Sequence, residues 1–187
     1  MTNWITGASA DPRARITGVV YLLYFLTAIS GEVVVGRSHP AAYDAVYLLS
    51  HALYIALALL FYHLFRPVNR GLSLFAALVS IAGCANDVAE LFGLMPHKIN
   101  SLAFFGPYCL LIGYLIIRST FLPRILGLLM ALAGVGWLLF FTPLAHPLAT
   151  YLKVLGFVAE MTLMLWLIAA GVNVQRWKEQ AGAAEKE

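Results

Sequence analysis

Charge and cysteine are both scarce in this chain of 187 residues. Only 11% of the residues are charged and only two are cysteine, while 61% are hydrophobic. The low charge excludes an intrinsically disordered chain, and the low cysteine content excludes a small domain held together by disulfides. Soluble domains contain about 45–50% apolar and about 25% charged residues, so a water-soluble domain is excluded as well. The composition indicates an integral membrane protein.

The chain also lacks a cluster of basic residues. Its formal net charge is +3, from twelve Lys and Arg against nine Asp and Glu. The basic residues occur in small groups along the chain and do not form the concentrated patch that binds nucleic acid. We therefore expect no nucleic-acid partner, and a lipid bilayer as the main environment.

Long apolar runs are what the chain does contain. About 20 apolar residues in a helix span about 30 Å of hydrocarbon, and six such stretches occur, at about 16–35, 44–65, 72–94, 101–118, 123–142 and 148–172. They are continuously apolar rather than alternating, which favours helices. We predict an all-α, polytopic membrane bundle of six transmembrane helices, forming a single transmembrane domain over residues 1–187, with a short polar tail after Val174.

The basic residues are distributed unequally among the connecting segments. With the N-terminus inside, nine lie on cytoplasmic segments: Arg13, Arg15, Arg66, Arg70, Arg118, Arg124, Arg176, Lys178 and Lys186. Three lie on outer segments: Arg37, Lys98 and Lys153. This positive-inside bias predicts that both termini are cytoplasmic, in a multi-pass protein of a bacterial inner membrane. Assembly into an oligomer or a larger membrane complex stays open.

Acidic side chains lie within or beside the predicted spans, although no Lys or Arg lies deep in any span. A charge at membrane depth is costly, so each acid needs a partner or a function. The acids are therefore expected to be protonated, to pair with His51, to reach a basic residue at a span end, or to bind a cation. Water-filled vestibules that solvate them are a further alternative.

Helical spacing brings several polar residues onto shared faces. Asp44, Tyr47, His51 and Tyr54 share one face of the second helix, and Ser80, Cys84, Asp87 and Glu90 share one face of the third. We expect both faces to point into the bundle, in its outer half. The candidate ligand- or proton-binding residues are Glu32, Tyr47, His51, Tyr54, Asp87, Glu90 and Glu160.

Metal binding is one interpretation of this set. His51, Asp87, Glu90 and Glu160 supply the nitrogen and oxygen ligands that suit a divalent metal ion, although no established metal-binding motif is present. Haem is disfavoured, because His51 and His63 lack axial histidine partners on other spans. The sequence does not define a cofactor.

Three stretches resemble a bacterial family of small six-helix membrane proteins, domain-of-unknown-function family 4386. They are Ala14 to Gly18 with Tyr21 to Leu23, Arg118 and Ser119 with Leu122 to Arg124, and Glu160 and Met161 with Leu165 to Ile168 and Gly171 to Asn173. The resemblance spans residues 14 to 173 and implies a six-helix bundle with an acid in its last helix, matched by Glu160. It implies no activity, substrate or cofactor.

Three functions are compatible with these observations. The first is a binding or transport-like protein whose outer-half pocket takes up a proton, a metal ion or a small cationic ligand. The second is a structural or regulatory membrane subunit, in which the polar residues only fix helix packing. The third is a membrane enzyme that acts on a lipid or isoprenoid, with Glu160 or Asp87 as general acid or base and His51 as its partner.

Overall fold

The structure, a computed structural model, describes residues 12–35, 39–94 and 99–184. Within these ranges the chain is helical and contains no β-strand. In chain order the helices are α1 (Pro12–Ser30), which continues into a π-helical turn (Gly31–Val35), α2 (Pro40–Phe65), α3 (Arg70–Leu91), α4 (Leu102–Arg118), α5 (Arg124–Leu139), α6 (Ala145–Ala169) and α7 (Val174–Ala184). The predicted all-α fold is confirmed.

In the described part of the chain, four helical segments are long and apolar enough to cross a membrane, judged by length and composition: Pro12–Val33, Pro40–Phe65, Arg70–Leu91 and Ala145–Ala169. α4 and α5 are apolar but shorter, with 17 and 16 residues. At about 1.5 Å per residue they are about 24–26 Å long. The six predicted spans coincide with six helices, and the lengths support a multi-pass membrane protein in which four helices meet the criterion for a full span.

Local sequence signals explain where the helices begin and end. Pro40 begins α2, where its missing N–H is not needed. The side chain of Asn69 caps α3 by accepting a hydrogen bond of 2.8 Å from the Leu72 N–H. Gly93 and Gly171 follow α3 and α6 with φ of 65° and 66°, a left-handed conformation that glycine adopts at little cost.

The first six helices form a closed ring. Each packs against its neighbours in chain order, and α6 packs against α1. Glycines permit very close approach: a Cβ on Gly113 of α4 would lie 2.7 Å from the carbonyl oxygen of Gly127 on α5. A Cβ on Gly18 of α1 would lie 2.8 Å from the Ile168 nitrogen on α6. Such backbone contacts are typical of helix packing in lipid.

α7 crosses one end of this ring. The Trp177 Nε1–H donates a 2.9 Å hydrogen bond to the carbonyl oxygen of Leu64 at the end of α2. The N–H of Thr120, between α4 and α5, donates a 3.1 Å hydrogen bond to Gln180 Oε1. The expected polar tail is therefore a helix, held by contacts to the end of α2 and to the connection between α4 and α5.

The interior is densely packed at the α7 end, which is called here the closed end. Its largest fully buried side chains include Phe65, Phe121 and Leu167. Outward faces carry large exposed apolar side chains, such as Phe75 and Ile125, which are 55% and 59% exposed. Apolar outer faces of this kind favour a lipid bilayer environment. The opposite end of the ring, called here the open end, contains a cavity.

Candidate functional site

A cavity of about 290 Å³ lies between α1, the π-helical turn, α2, α3 and α4. Its walls are rich in aromatic side chains: Tyr24, Tyr43, Tyr47, Tyr54, Phe104, Phe105 and Tyr108. Among the described lining residues there is no Lys or Arg. The cavity therefore combines an aromatic surface with the acidic side chains described below.

His51 and Asp87 form the central polar contact of this cavity. His51 Nε2 on α2 lies 3.2 Å from Asp87 Oδ2 on α3, and each side chain is 15% exposed. The other ring nitrogen, Nδ1, lies 2.9 Å from the carbonyl oxygen of Tyr47. Since a carbonyl oxygen only accepts, Nδ1 must carry a proton. The predicted alternative in which Asp87 pairs with His51 matches this geometry.

The second carboxylate oxygen of Asp87 ties α3 to the beginning of α4. The Ser101 hydroxyl donates a short hydrogen bond to Asp87 Oδ1, and the Asn86 Nδ2–H donates another of 3.1 Å to the same atom. Asn86 also donates to the carbonyl oxygen of Ile99 at 3.0 Å. With two donors at Oδ1, Asp87 has the hydrogen-bond environment of a carboxylate, and its other oxygen faces His51 Nε2.

A second cavity of about 440 Å³, called here the vestibule, adjoins the first at the open end. It is lined by Pro40, Tyr43, Asp44, Tyr47, Asp87, Glu90, Leu91 and Ser101. Four of these residues also line the inner cavity: Tyr43, Tyr47, Asp87 and Ser101. These shared residues form the boundary between the vestibule and the inner cavity.

Glu32 contributes a further carboxylate to the inner cavity. It lies in the π-helical turn, where the widened backbone follows directly on α1; π-turns of this kind are frequent at functional sites. Its Oε1 accepts a 2.5 Å hydrogen bond from the Tyr43 hydroxyl. Glu32 is exposed, and with Tyr43 it links the end of α1 to α2 beside the cavity.

Three hydroxyls at the other end of the inner cavity have no hydrogen-bond partner among the described residues. They belong to Tyr54 of α2, Ser80 of α3 and Tyr108 of α4, which are 8%, 4% and 3% exposed. Buried polar groups in native proteins are nearly always hydrogen-bonded, so each exception calls for an explanation. Polar atoms of a bound molecule are one such explanation.

Glu160 does not line the inner cavity. It is 5% exposed, and its Oε2 accepts a 2.9 Å hydrogen bond from the Tyr21 hydroxyl. The reason is the ring order, because α6 packs against α1 and α5 while the cavity is lined by α1, α2, α3 and α4.

The structure brings five of the seven predicted site residues to one cavity: Glu32, Tyr47, His51, Tyr54 and Asp87. Glu90 lines the vestibule instead. Among the predicted acids in the described part of the chain, only Glu160 is buried, at 5% exposure, so the burial of carboxylates is supported for one acid.

The predicted metal ligands His51, Asp87, Glu90 and Glu160 are not brought together. Within residues 12–35, 39–94 and 99–184, no three His, Cys, Asp or Glu side chains are grouped so that they could hold a metal ion. Glu160 is separated from the others because α6 packs against α1 and α5, whereas the others lie on α2 and α3.

Sequence reasoning did not identify Tyr43 and Ser101 as site residues. Tyr43 lies four residues before Tyr47, so extending the same helical face by one turn could have found it. Ser101 directly precedes α4, and no periodic signal covers a residue outside the helix.

Comparisons with known proteins agree with the resemblance noted in the sequence. The chain is 28% identical over 132 residues to a protein of the archaeon Archaeoglobus fulgidus named "Uncharacterized protein", an alignment that covers 63% of this chain and 76% of the relative. No solved structure matches the chain significantly. The family model described as Domain of unknown function (DUF4386) matches residues 98–171, and this match confirms the resemblance to that family from the end of the α3–α4 connection through α6.

Proposed function

We propose that all six helices of the ring cross the bilayer, as one transmembrane domain of a bacterial inner membrane. α4 and α5 are about 24–26 Å long, close to the hydrocarbon thickness of about 30 Å. They pack directly against each other and against the longer helices α3 and α6. Polar residues that flank them can cover the remaining thickness.

Both termini are cytoplasmic in this proposal. The closed end carries Arg66, Arg70, Arg118 and Arg124 at helix ends, together with Arg176 of α7. A concentration of basic residues at one end supports a cytoplasmic location for that end. Arg37, Lys98 and Lys186, which also entered the predicted charge count, lie outside the described residues.

Reporter fusions test this topology. Green fluorescent protein fused to the C-terminus should fluoresce, because it matures in the cytoplasm, and alkaline phosphatase fused after Thr142 should be active outside. An active phosphatase at the C-terminus would contradict the proposed orientation.

We propose that the inner cavity binds a small organic cation. The observation that carries this proposal is the lining itself: aromatic rings and the carboxylates of Glu32 and Asp87 surround the space, and among the described residues no Lys or Arg lines it and three of its buried hydroxyls have no hydrogen-bond partner. Aromatic faces attract cations through the ring quadrupole. Pockets for small molecules are mostly apolar with a few polar groups that orient the ligand.

An organic cation fits this lining better than a bare metal ion or a proton alone. A metal ion requires several close ligands, and the four candidates are dispersed. A cavity of about 290 Å³ has room for a molecule of several non-hydrogen atoms. The aromatic walls would contact its apolar part, while the acids would neutralise its charge.

The test is a titration of the detergent-purified full chain with benzylammonium and benzyltrimethylammonium, followed by calorimetry. Benzyl alcohol serves as the uncharged comparison. We expect both cations to bind and benzyl alcohol to bind more weakly. Glu32→Gln should weaken cation binding about two- to fivefold, as expected for one exposed ion pair, while Glu179→Gln, an exposed acid on α7, should not.

Cysteine labelling locates the binding site. The chain has two cysteines, of which Cys84 lines the cavity while Cys109 does not. In a Cys109→Ala variant, bound benzyltrimethylammonium should slow the modification of Cys84 by a methanethiosulfonate reagent. If neither cation binds, and polar variants change only stability, the proposal fails and a structural or regulatory role remains.

A further inference from the structure

We infer that the cavity exchanges its cation for a proton: binding of one organic cation beside Asp87 releases the one proton that His51 and Asp87 share. The inference rests on the proposed cation binding and adds a direction of coupling to it. It makes the protein a proton-linked cation-binding protein.

The proton count follows from the hydrogen bonds. His51 Nδ1 donates to the Tyr47 carbonyl, so the contact between Nε2 and Asp87 Oδ2 at 3.2 Å contains one further proton. That proton lies on Nε2, giving an ion pair, or on Oδ2, giving two neutral groups. The pair has no net charge in either case, and it holds one proton more than a carboxylate with a neutral imidazole.

The position of Asp87 makes it a natural contact for an entering cation. Asp87 lines both the vestibule and the inner cavity, together with Tyr43, Tyr47 and Ser101. A cation that moves from the vestibule to the inner cavity therefore passes Asp87. The vestibule also contains Asp44 and Glu90, whose charges favour the approach of cations.

The exchange balances in charge and protons. The imidazolium of His51 and the carboxylate of Asp87, plus one cation, give a neutral imidazole, a carboxylate paired with the cation, and one proton released to the outer solution. No covalent bond between heavy atoms forms or breaks. The cation replaces the imidazolium as the positive partner of Asp87.

The surrounding hydrogen bonds can persist through this exchange. Ser101 and Asn86 continue to donate to Asp87 Oδ1, so the carboxylate stays in position. Neutral His51 keeps its Nδ1–H bond to the Tyr47 carbonyl, so the ring stays in position as well. Only Nε2 changes its role, from donor to acceptor.

Other titratable groups around the pair must be considered as proton sources. Glu32 of the π-helical turn, Asp44 of α2 and Glu90 of α3 are the other carboxyl groups that line the two cavities, and Cys84 of α3 supplies a thiol. The remaining groups are phenols on α1, α2 and α4: Tyr24, Tyr43, Tyr47, Tyr54 and Tyr108. Thiols and phenols ordinarily titrate above neutral pH, so the carboxyl groups are the other candidate proton sources. Mutation of His51 distinguishes His51 from them.

The experiment is calorimetry of benzyltrimethylammonium binding at about pH 7 in phosphate and in Tris, whose heats of ionisation differ. This probe has no ionisable proton, so any proton released comes from the protein. We expect about one proton per bound cation, and an affinity that rises up to about tenfold per pH unit. His51→Gln should bind the probe with no proton release, and His63→Gln, an exposed histidine on the same helix, should behave as wild type.

Each outcome bears on one proposal or on both. Binding to the wild type without proton release overturns the exchange and leaves cation binding intact. Equal proton release in wild type and His51→Gln also overturns it, because the source is then another group. No binding of any cation overturns the proposed function itself. Should His51→Gln fail to fold, ¹⁵N NMR of histidine-labelled wild type decides: the His51 signal must change from imidazolium to neutral imidazole on addition of the probe, and an unchanged signal overturns the exchange.

Discussion

Removing the hydroxyl of Tyr54 should stabilise the ligand-free protein and weaken cation binding. The hydroxyl is buried, and it has no hydrogen-bond partner among the described residues. The Tyr54 ring packs against Tyr24, Phe105 and Tyr108, with centroids 4.7, 6.0 and 5.9 Å away. Tyr54→Phe keeps these ring contacts and deletes only the unpartnered group.

The expected change in the free energy of unfolding follows from the free-energy cost of burying a hydroxyl without a hydrogen-bond partner. A buried donor without a partner is unfavourable by about 1–3 kcal/mol, so Tyr54→Phe should raise the free energy of unfolding by about 1 kcal/mol or more. Tyr21→Phe is the matched comparison, because the Tyr21 hydroxyl donates a 2.9 Å hydrogen bond to the buried Glu160. Its removal leaves a carboxyl oxygen unsatisfied and should lower the free energy of unfolding by about 1–3 kcal/mol.

Unfolding by sodium dodecyl sulfate in mixed micelles, followed by circular dichroism, measures both changes. Tyr151→Phe, at a position that is 74% exposed, should change nothing. Benzylammonium binding to Tyr54→Phe should weaken about two- to tenfold, the effect of losing one neutral hydrogen bond. A loss of stability in Tyr54→Phe as large as that in Tyr21→Phe would refute the reasoning, because the Tyr54 hydroxyl must then have a partner.

Three further predictions concern packing, the buried acid and α7. Gly113→Ala should lower the free energy of unfolding by about 1–3 kcal/mol, because the new Cβ would lie 2.7 Å from backbone atoms of α5. Gly182→Ala should leave it unchanged, because a Cβ at this position meets nothing within 4 Å. Unfolding in detergent measures both variants. Glu160→Gln keeps an oxygen that accepts from Tyr21 and should be tolerated, whereas Glu160→Leu should cost about 1–3 kcal/mol in the same assay; equal losses would contradict this. Trp177→Phe removes the hydrogen bond to α2 and should speed hydrogen exchange in residues 174–184 without changing α1.

The course of the helices could be predicted from the sequence because apolar runs, prolines and capping residues act locally. Pro40 and Asn69 mark where α2 and α3 begin. α7 could not be predicted in the same way, because its polar sequence has no apolar run. Trp177 bonds to the end of α2, a contact between residues more than a hundred positions apart.

Those parts of the site that depend on residue spacing within one helix could be predicted from the sequence. Those that depend on which helices pack against each other could not. Helical spacing indicated that His51 and Asp87 each lie on an inward face, and the two faces meet between α2 and α3. Glu160 has the same acidic, inward character in the sequence. Its distance from the cavity follows from α6 packing against α1 and α5, and no single-helix pattern contains that information.

Asp87 has both a structural role at the open end and a role in the proposed proton exchange. One carboxylate oxygen receives the hydrogen bonds that hold the connection before α4, from Ser101 and Asn86, and the other faces His51. A substitution of Asp87 therefore changes folding and binding together, and its effects could not be assigned to either. His51 has a narrower role, because its loss leaves both Oδ1 hydrogen bonds in place. A change in proton release in His51→Gln with unchanged stability would consequently separate the exchange of a proton from the packing of the bundle.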